Sequence, residues 1–364
     1  MEFIDLKTQY QTYRPRIDAA IQRVLDHGKF IQGPEIQELE TALAAYVGAR
    51  HGITVASGTD SLEIALRALS IGPGDEVITV PFTWISTAEA IGLVGARTRF
   101  VDIEADTYNI DISQIEAAIT PRTKALLPVN LFGQMPDYAA INAIAAKHGL
   151  AVLEDAAQSF GASQNGRKSC GVTTVASTSF FPAKPLGCYG DGGALFTDDD
   201  ALADRMRAIR THGGIRRHEH PLLGMNGRFD TLQAAIILAK WPDFPAEVEA
   251  RERIGARYSA LLRDVCVTPA IAPGNTHVYA QYTIRVPNRD GLGESLKKHG
   301  IPTAVYYPKC LHEQPVFADL GYKIGDFPVS EKASHEVISL PMHPFLTEAE
   351  QDQIVAAVKQ ALAN

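Results

Sequence analysis

The stretch Ala151-Val152-Leu153-Glu154-Asp155-Ala156-Ala157-Gln158 is a short apolar run that ends abruptly in two carboxylates. Its apolar side chains fall on both faces of an extended chain, the pattern of a strand buried inside a parallel sheet. The run begins at 149, and similar runs stand at 52–55, 76–80, 99–103, 125–129, 174–180 and 194–197. Between them, segments such as 61–69, 112–119 and 138–148 carry apolar residues at i, i+3 and i+4, the spacing of amphipathic helices. This alternation specifies βαβ units and an α/β fold whose mostly parallel sheet is covered on both faces. Turn residues agree with it: Gly72-Pro73-Gly74-Asp75 and Thr120-Pro121-Arg122 each precede a strand, and His148-Gly149 closes a helix.

After about Lys240 the character of the chain changes. Trp241-Pro242-Asp243-Phe244-Pro245 breaks the pattern, a charged helix runs from Glu247 to Leu262, and 279–286 alternates like a half-buried strand. We expect a large α/β domain over residues 1–240, N-terminal helix included, and a small α+β C-terminal domain over 241–364. The 364 residues, 46% hydrophobic and 21% charged, suffice for both. Lys and Arg total 34 against 42 Asp and Glu, a net charge of −8, so no global field draws the chain to nucleic acid or to an anionic membrane. Any phosphate must be held by local geometry. Cys170, Cys188, Cys266 and Cys310 form no C-x-x-C pair, which argues against disulfides and zinc. The first residues lack the apolar core of a signal peptide, and no run of about 18 apolar residues occurs. The expectation is a reduced, soluble, cytoplasmic protein without a bound metal.

Ligands of open α/β sheets bind at the carboxyl ends of strands, which makes Glu154 and Asp155 candidates, although a helix cap or a solvated loop would look the same. A second strand end, Ser177-Thr178-Ser179-Phe180-Phe181-Pro182-Ala183-Lys184-Pro185-Leu186-Gly187, sets a lysine among aromatics, proline and glycine. Such surroundings depress an amine pKa and leave a nucleophile able to form a Schiff base; a surface lysine is the plainer reading. Gly187-Cys188-Tyr189-Gly190-Asp191-Gly192-Gly193 then lets backbone approach a ligand closely, or simply turns. Ser57-Gly58-Thr59-Asp60 opens a helix after a strand, where free N–H groups suit a phosphate and where Thr59 or Asp60 would serve equally as a cap. In Pro81-Phe82-Thr83-Trp84-Ile85-Ser86-Thr87 the Trp84 ring offers a stacking surface or a core side chain. Asn226 and Arg228 interrupt the approach to an apolar helix at Thr231-Leu232-Gln233.

Taken in order, Ser-Gly-Thr-Asp, Pro-Phe-Thr-Trp, Glu-Asp-Ala-Ala-Gln, Ser-Phe-Phe-Pro-x-Lys, Gly-Asp-Gly-Gly-Ala and Asn-x-Arg-x-Asp-x-Leu-Gln-Ala-Ala resemble the DegT/DnrJ/EryC1/StrS family of pyridoxal-phosphate-dependent nucleotide-sugar aminotransferases. The resemblance runs from Phe3 to the C-terminal helix. It implies the aspartate aminotransferase-like fold (fold type I of these enzymes) and makes Lys184 the lysine that binds the cofactor covalently. It pairs Asp155 with the pyridine nitrogen and sets Gln158 near the phenolic oxygen. Ser179, Gly58 and Thr59 would hold the phosphate, joined by Asn226 from the second subunit of a homodimer, and Trp84 would stack on the ring. An ionised Asp155 keeps that nitrogen protonated, so the ring can accept electrons from the substrate carbon.

Within the family, 154–163, 169–170 and 178–193 are most similar to the branch that aminates UDP-2-acetamido-2-deoxy-3-oxo-glucuronate for bacterial surface polysaccharide, with glutamate as implied donor. The sugar carboxylate needs a cation or several donors. Arg228 is the first choice for that contact and Tyr307 the second. Tyr306 stands beside it, where relatives often carry histidine. Arg216 and Arg217 suit a diphosphate or a solvated loop, and the spacing of His218-Glu219-His220 does not match a His-Glu-x-x-His site. A 4-keto sugar aminotransferase is the alternative enzyme, and a cofactor-bearing regulator without turnover the alternative class; the related dehydratases carry histidine where this chain has Lys184.

Overall fold

In the computed structural model, which describes residues 1–216 and 218–363, the apolar runs become the strands of one sheet. Arg217, considered above for a diphosphate, lies outside the described residues. Two helices lead, α1 (Leu6–His27) and α2 (Pro34–Val47). The chain then alternates through β1 (His51–Val55), α3 (Gly58–Ala68), β2 (Glu76–Thr79), α4 (Ser86–Leu93), β3 (Arg97–Phe100), α5 (Ile115–Ala118), β4 (Thr123–Leu126), α6 (Tyr138–His148) and β5 (Ala151–Asp155). A small hairpin, β6 (Ser163–Gln164) and β7 (Arg167–Lys168), precedes β8 (Val175–Ser179) and β9 (Gly193–Thr197).

The sheet has seven strands in the order β1-β9-β8-β5-β4-β2-β3. β3, β2, β4, β5 and β8 run parallel, and β9 is antiparallel to both β8 and β1. β1 therefore points the same way as the parallel strands, so the carboxyl ends of β1, β2, β5 and β8 share one rim. Both faces are covered. Ile53, Val77, Leu153 and Val175 pack with Leu62, Ile91 and Met206 on one side. On the other, Ala176, Ala194 and Phe196 pack with Leu39, Phe160 and Ile237.

The remaining elements are α7 (Asp200–Arg210), α8 (Thr231–Lys240), α9 (Phe244–Leu262), β10 (Tyr282–Arg285), α10 (Arg289–Lys298), α11 (Pro328–Glu336), β11 (Val337–Leu340) and α12 (Glu348–Ala363). β10 and β11 pair antiparallel. A separate core joins Tyr258, Leu262, Tyr282, Leu296, Leu340 and Ile354. Phe244 and Val248, at the start of α9, still belong to the core under the large sheet. The change of core thus falls inside α9 rather than at the proline break at 241–245, because a continuous helix can bury its two ends in different places.

Local expectations differ in three places. The helix expected over 112–119 is a 3-10 turn at Ile112–Gln114 followed by a single α turn. The strand expected at 99–103 ends at Phe100, since Ile103 leaves the ladder to bridge Ile110. The cap of α3 is Ser57, not Thr59 or Asp60: extended at φ −157°, it accepts the Asp60 N–H on its hydroxyl at 3.0 Å. Asp199, from the acidic run 198–200, caps α7, and Gly149 closes α6 in the left-handed region. Among the described residues no helix is long and apolar enough to cross a membrane.

Candidate active site

The strand ends open into a cavity of about 350 Å³ lined by Gly58, Thr59, Trp84, Asp155, Gln158, Ser179 and Lys184, with Tyr306 and Tyr307 on the far side. Seven expected cofactor residues and two expected substrate residues are thus brought together by the order of the sheet. Strand alternation separates the two carboxylates of β5, because successive side chains point to opposite faces. Asp155, 5% exposed, turns to the cavity and accepts hydrogen bonds from the Thr87 hydroxyl at 2.9 Å and the Ala157 N–H at 3.2 Å. Glu154 turns the other way. Its Oε1 accepts from Asn130 Nδ2 at 2.8 Å, Ser169 Oγ at 2.7 Å and the Cys170 N–H at 3.0 Å. Neither residue caps a helix or lies in a solvated loop, because both are held beneath the sheet rim; Glu154 braces the loop after β7.

Burial raises the Asp155 pKa, opposed by the Thr87 and Ala157 hydrogen bonds and by the positive charge of Lys184. Burial also pushes the Lys184 amine below its usual value, with Asp155 pulling back. The pair is a neutralisable amine facing a carboxylate that lacks a fixed cationic partner, the arrangement suited to a nucleophile beside a protonated ring nitrogen.

The start of α3 provides an anion cradle. Ser57 takes the Asp60 N–H on its hydroxyl and the Ser61 N–H on its carbonyl, which leaves the Gly58 and Thr59 amides without intrahelical acceptors. Ser179 closes the cradle: a Cβ on Gly58 would lie 2.7 Å from the Ser179 Cβ, so only glycine lets the helix approach that strand end. Ser86 adds a hydroxyl, 2.9 Å from Thr59 Oγ1. Trp84 is 58% exposed at the edge of the cavity, its ring centroid 6.1 Å from that of Tyr307, and presents a face that a flat ligand would cover. Gln158 accepts the Phe132 N–H at 2.7 Å and donates to the Tyr307 hydroxyl at 3.1 Å, while burial pushes the Tyr307 phenol pKa up.

Two expected site residues stand elsewhere. Asn226 and Arg228 lie on a segment alongside the edge strand β1, where Arg228 bridges Val55 and the Gly227 carbonyl accepts the Ala56 N–H. They do not line the cavity of their own chain. Asn226 is exposed, and the Arg228 Nε is buried without an acceptor. Sequence reading missed Thr87 and Ser86, although both sit in the stretch that supplied Trp84. Short polar residues at a strand-to-helix turn were the signal, but only the β2-to-β5 juxtaposition shows which one reaches Asp155.

The pairing of Lys184 with Asp155 beneath a glycine-opened anion cradle coincides with a family match over residues 11–359, to a model described as the DegT/DnrJ/EryC1/StrS aminotransferase family. The chain belongs to this family. Among relatives, a UDP-2-acetamido-2-deoxy-3-oxo-D-glucuronate aminotransferase of Pseudomonas aeruginosa is 54% identical over 98% of this chain and 99% of its own length. A pleiotropic regulatory protein of Geobacillus stearothermophilus is 48% identical over 98% and 97%. Among solved structures, a DegT/DnrJ/EryC1/StrS aminotransferase from Brucella abortus superposes with TM-score 0.97 at 44% identity, covering all of both chains. NtdA of Bacillus subtilis, with bound cofactor PMP, superposes with TM-score 0.90 at 31% identity over all of this chain and 83% of its own.

This DegT-family aminotransferase is an enzyme that depends on pyridoxal phosphate, and the donor set fits that cofactor. The α3 amides with Thr59 and Ser179 suit its phosphate, Trp84 its ring face, Asp155 its ring nitrogen and Lys184 its aldehyde. When bound, the cofactor supplies a reversible carbonyl and an electron sink. Of the chain's own residues, Asp155, held by Thr87, would keep a proton on the ring nitrogen, and the Lys184 amine would be placed to carry a proton to and from the substrate carbon.

Proposed function

We propose that the protein transfers an amino group from glutamate to C3 of UDP-2-acetamido-2-deoxy-3-oxo-glucuronate, giving UDP-2-acetamido-3-amino-2,3-dideoxy-glucuronate for bacterial surface polysaccharide. The observation that carries this reading is the 54% identity, over essentially both full lengths, to a relative bearing that activity in its name. The cavity agrees in chemistry, since it combines a nucleophilic amine with a wall of hydroxyl and amide groups suited to a sugar. Purified enzyme given glutamate and the 3-keto uronate is expected to release 2-oxoglutarate and the 3-amino sugar. Turnover of only a 4-keto nucleotide sugar would replace the substrate, and absence of 2-oxoglutarate with every ketosugar would leave the regulator reading.

The reading includes a homodimer with shared sites. Asn226 and Arg228 leave their own cavity but sit at the open edge beside β1, where a second copy can receive them. Arg228, with an Nε that has no acceptor, would meet the sugar carboxylate and Asn226 the cofactor phosphate. Mixing separately inactive K184A and R228A proteins tests this. Half of the randomly formed dimers are mixed and each has one intact site, so roughly a quarter of wild-type turnover should return. Activity no greater than that of the two variants alone would place Arg228 in its own subunit's machinery.

A further inference from the structure

One wall of the cavity is not supplied by the sheet. It is made by Ile4, Gln281 and Tyr306. The N-terminal segment is tied there, because the Phe3 carbonyl accepts the Met342 N–H at 3.2 Å and the Phe3 ring lies 6.3 Å from the Tyr306 ring. Gln281 is the residue before β10, and its backbone is anchored by buried Ala280 and Tyr282, the latter joined through its hydroxyl to Ser259 at 3.0 Å. Gln281 is one of the residues that line the cavity, and its Oε1 is buried with no hydrogen-bond donor among the described residues. Leaving an amide carbonyl desolvated and unpaired is unfavourable, so a ligand that brings a donor to this oxygen gains affinity that one without it forfeits.

Neither the lysine and aspartate nor the anion cradle uses this group. The two substrates differ in what they can offer it. Glutamate carries carboxylates, which only accept hydrogen bonds, and an ammonium that must sit at the reacting centre beside Lys184. A keto sugar carries neutral donors on the carbons that flank its ketone. We propose that Gln281 is a specificity-determining contact for the sugar, its Oε1 accepting a hydrogen bond from a donor on a carbon next to the ketone: the acetamido N–H at C2 or the hydroxyl at C4. This rests on the 3-keto sugar reading above. The same contact disfavours a second dicarboxylic amino acid in the sugar position, since a carboxylate oxygen facing Oε1 is repelled.

The test is Q281L, which keeps the volume and removes the acceptor, beside Q281E, which keeps an acceptor; thermal melting of the holoenzymes reports folding. The two half-reactions are followed separately by absorbance, glutamate on the pyridoxal form and keto sugar on the pyridoxamine form. Q281L should lower kcat/KM for the keto sugar about tenfold and change the glutamate half-reaction by less than about twofold, with Q281E recovering part of the loss. Keto-sugar analogues lacking the C2 acetamido group or the C4 hydroxyl identify the donor: with the analogue that lacks it, wild type and Q281L become equal. Equal losses in both half-reactions, no loss at all, or the same tenfold gap on both analogues would overturn the proposal. Failure of the wild type to turn over the 3-keto sugar would instead remove the substrate reading and this contact with it.

Discussion

Replacing Lys184 with alanine should lower turnover by between about a hundredfold and ten-thousandfold, the range for losing a positioned proton-transfer group, and the loss of covalent attachment acts in the same direction. Lys184 stands at the cavity between Ala183 and Pro185, with its amine pKa lowered by burial and partly restored by Asp155. Burial outweighs Asp155 and so favours the neutral amine relative to an exposed lysine, and it is the neutral amine that attacks a carbonyl. Removing a half-buried side chain from a cavity wall costs the fold little. The variant should therefore keep its circular dichroism and its ability to hold pyridoxal phosphate non-covalently in the α3 cradle. Borohydride treatment followed by intact-protein mass spectrometry is the decisive measurement. The cofactor should remain attached to wild type and not to K184A, and an adduct persisting in the variant would assign the covalent bond to another amine.

The second large effect separates two adjacent carboxylates by the kind of damage they cause. D155A should lower kcat by about a hundred- to a thousandfold, as expected when a preorganised charge facing a reacting system is removed, with a modest change in melting temperature. Its pH profile should change as well. Below the pKa of Asp155, which burial has raised, wild-type activity should fall as the carboxylate protonates, and D155N should lose that limb. Glu154 has the opposite character. Its Oε1 alone takes hydrogen bonds from Asn130, Ser169 and Cys170, so E154A strands several buried donors and should cost about 3 kcal/mol of stability. E154Q, which retains an acceptor, should recover much of that while kcat per folded molecule stays within several-fold of wild type. Chemical denaturation and active-site titration separate the two quantities. Equal losses of kcat in D155A and E154Q at equal stability would mean that the wrong carboxylate has been assigned to the ring nitrogen.

The difference between these neighbours shows how far local sequence carries. Ala151 to Asp155 is recognisably a buried strand because its apolar residues occupy both faces. The helix Tyr138–His148, its Gly149 cap and the Asp199 cap of α7 are equally legible, since each depends on residues a few positions apart. The helix start at α3 is legible, but its cap is not: Ser57, Thr59 and Asp60 all have suitable side chains, and only the extended backbone at Ser57 selects among them. The helix over 112–119 failed for a similar reason: its apolar spacing is adequate, but Asp111 starts a 3-10 turn that leaves one α turn before the chain must enter β4.

By itself the sequence determined the strand and helix alternation, the motif order that names the family, and the identity of Lys184 and Asp155 as chemical candidates. These depend on short-range periodicity or on residues that must be present for the chemistry whatever surrounds them. The tertiary structure alone decided which atoms meet. Thr87 reaches Asp155 across 68 positions of sequence, Gln158 reaches Tyr307 across 149, and Gln281, whose Oε1 is left without a donor, lines the same cavity as Ile4. It also set Asn226 and Arg228 outside the lining of their own chain's cavity, with Arg228 paired to Val55 of β1. Such contacts follow from strand order and from where the second core docks. Those are set by the packing of whole faces rather than by any local pattern, so a side chain's role at the site becomes visible only once the sheet has been assembled.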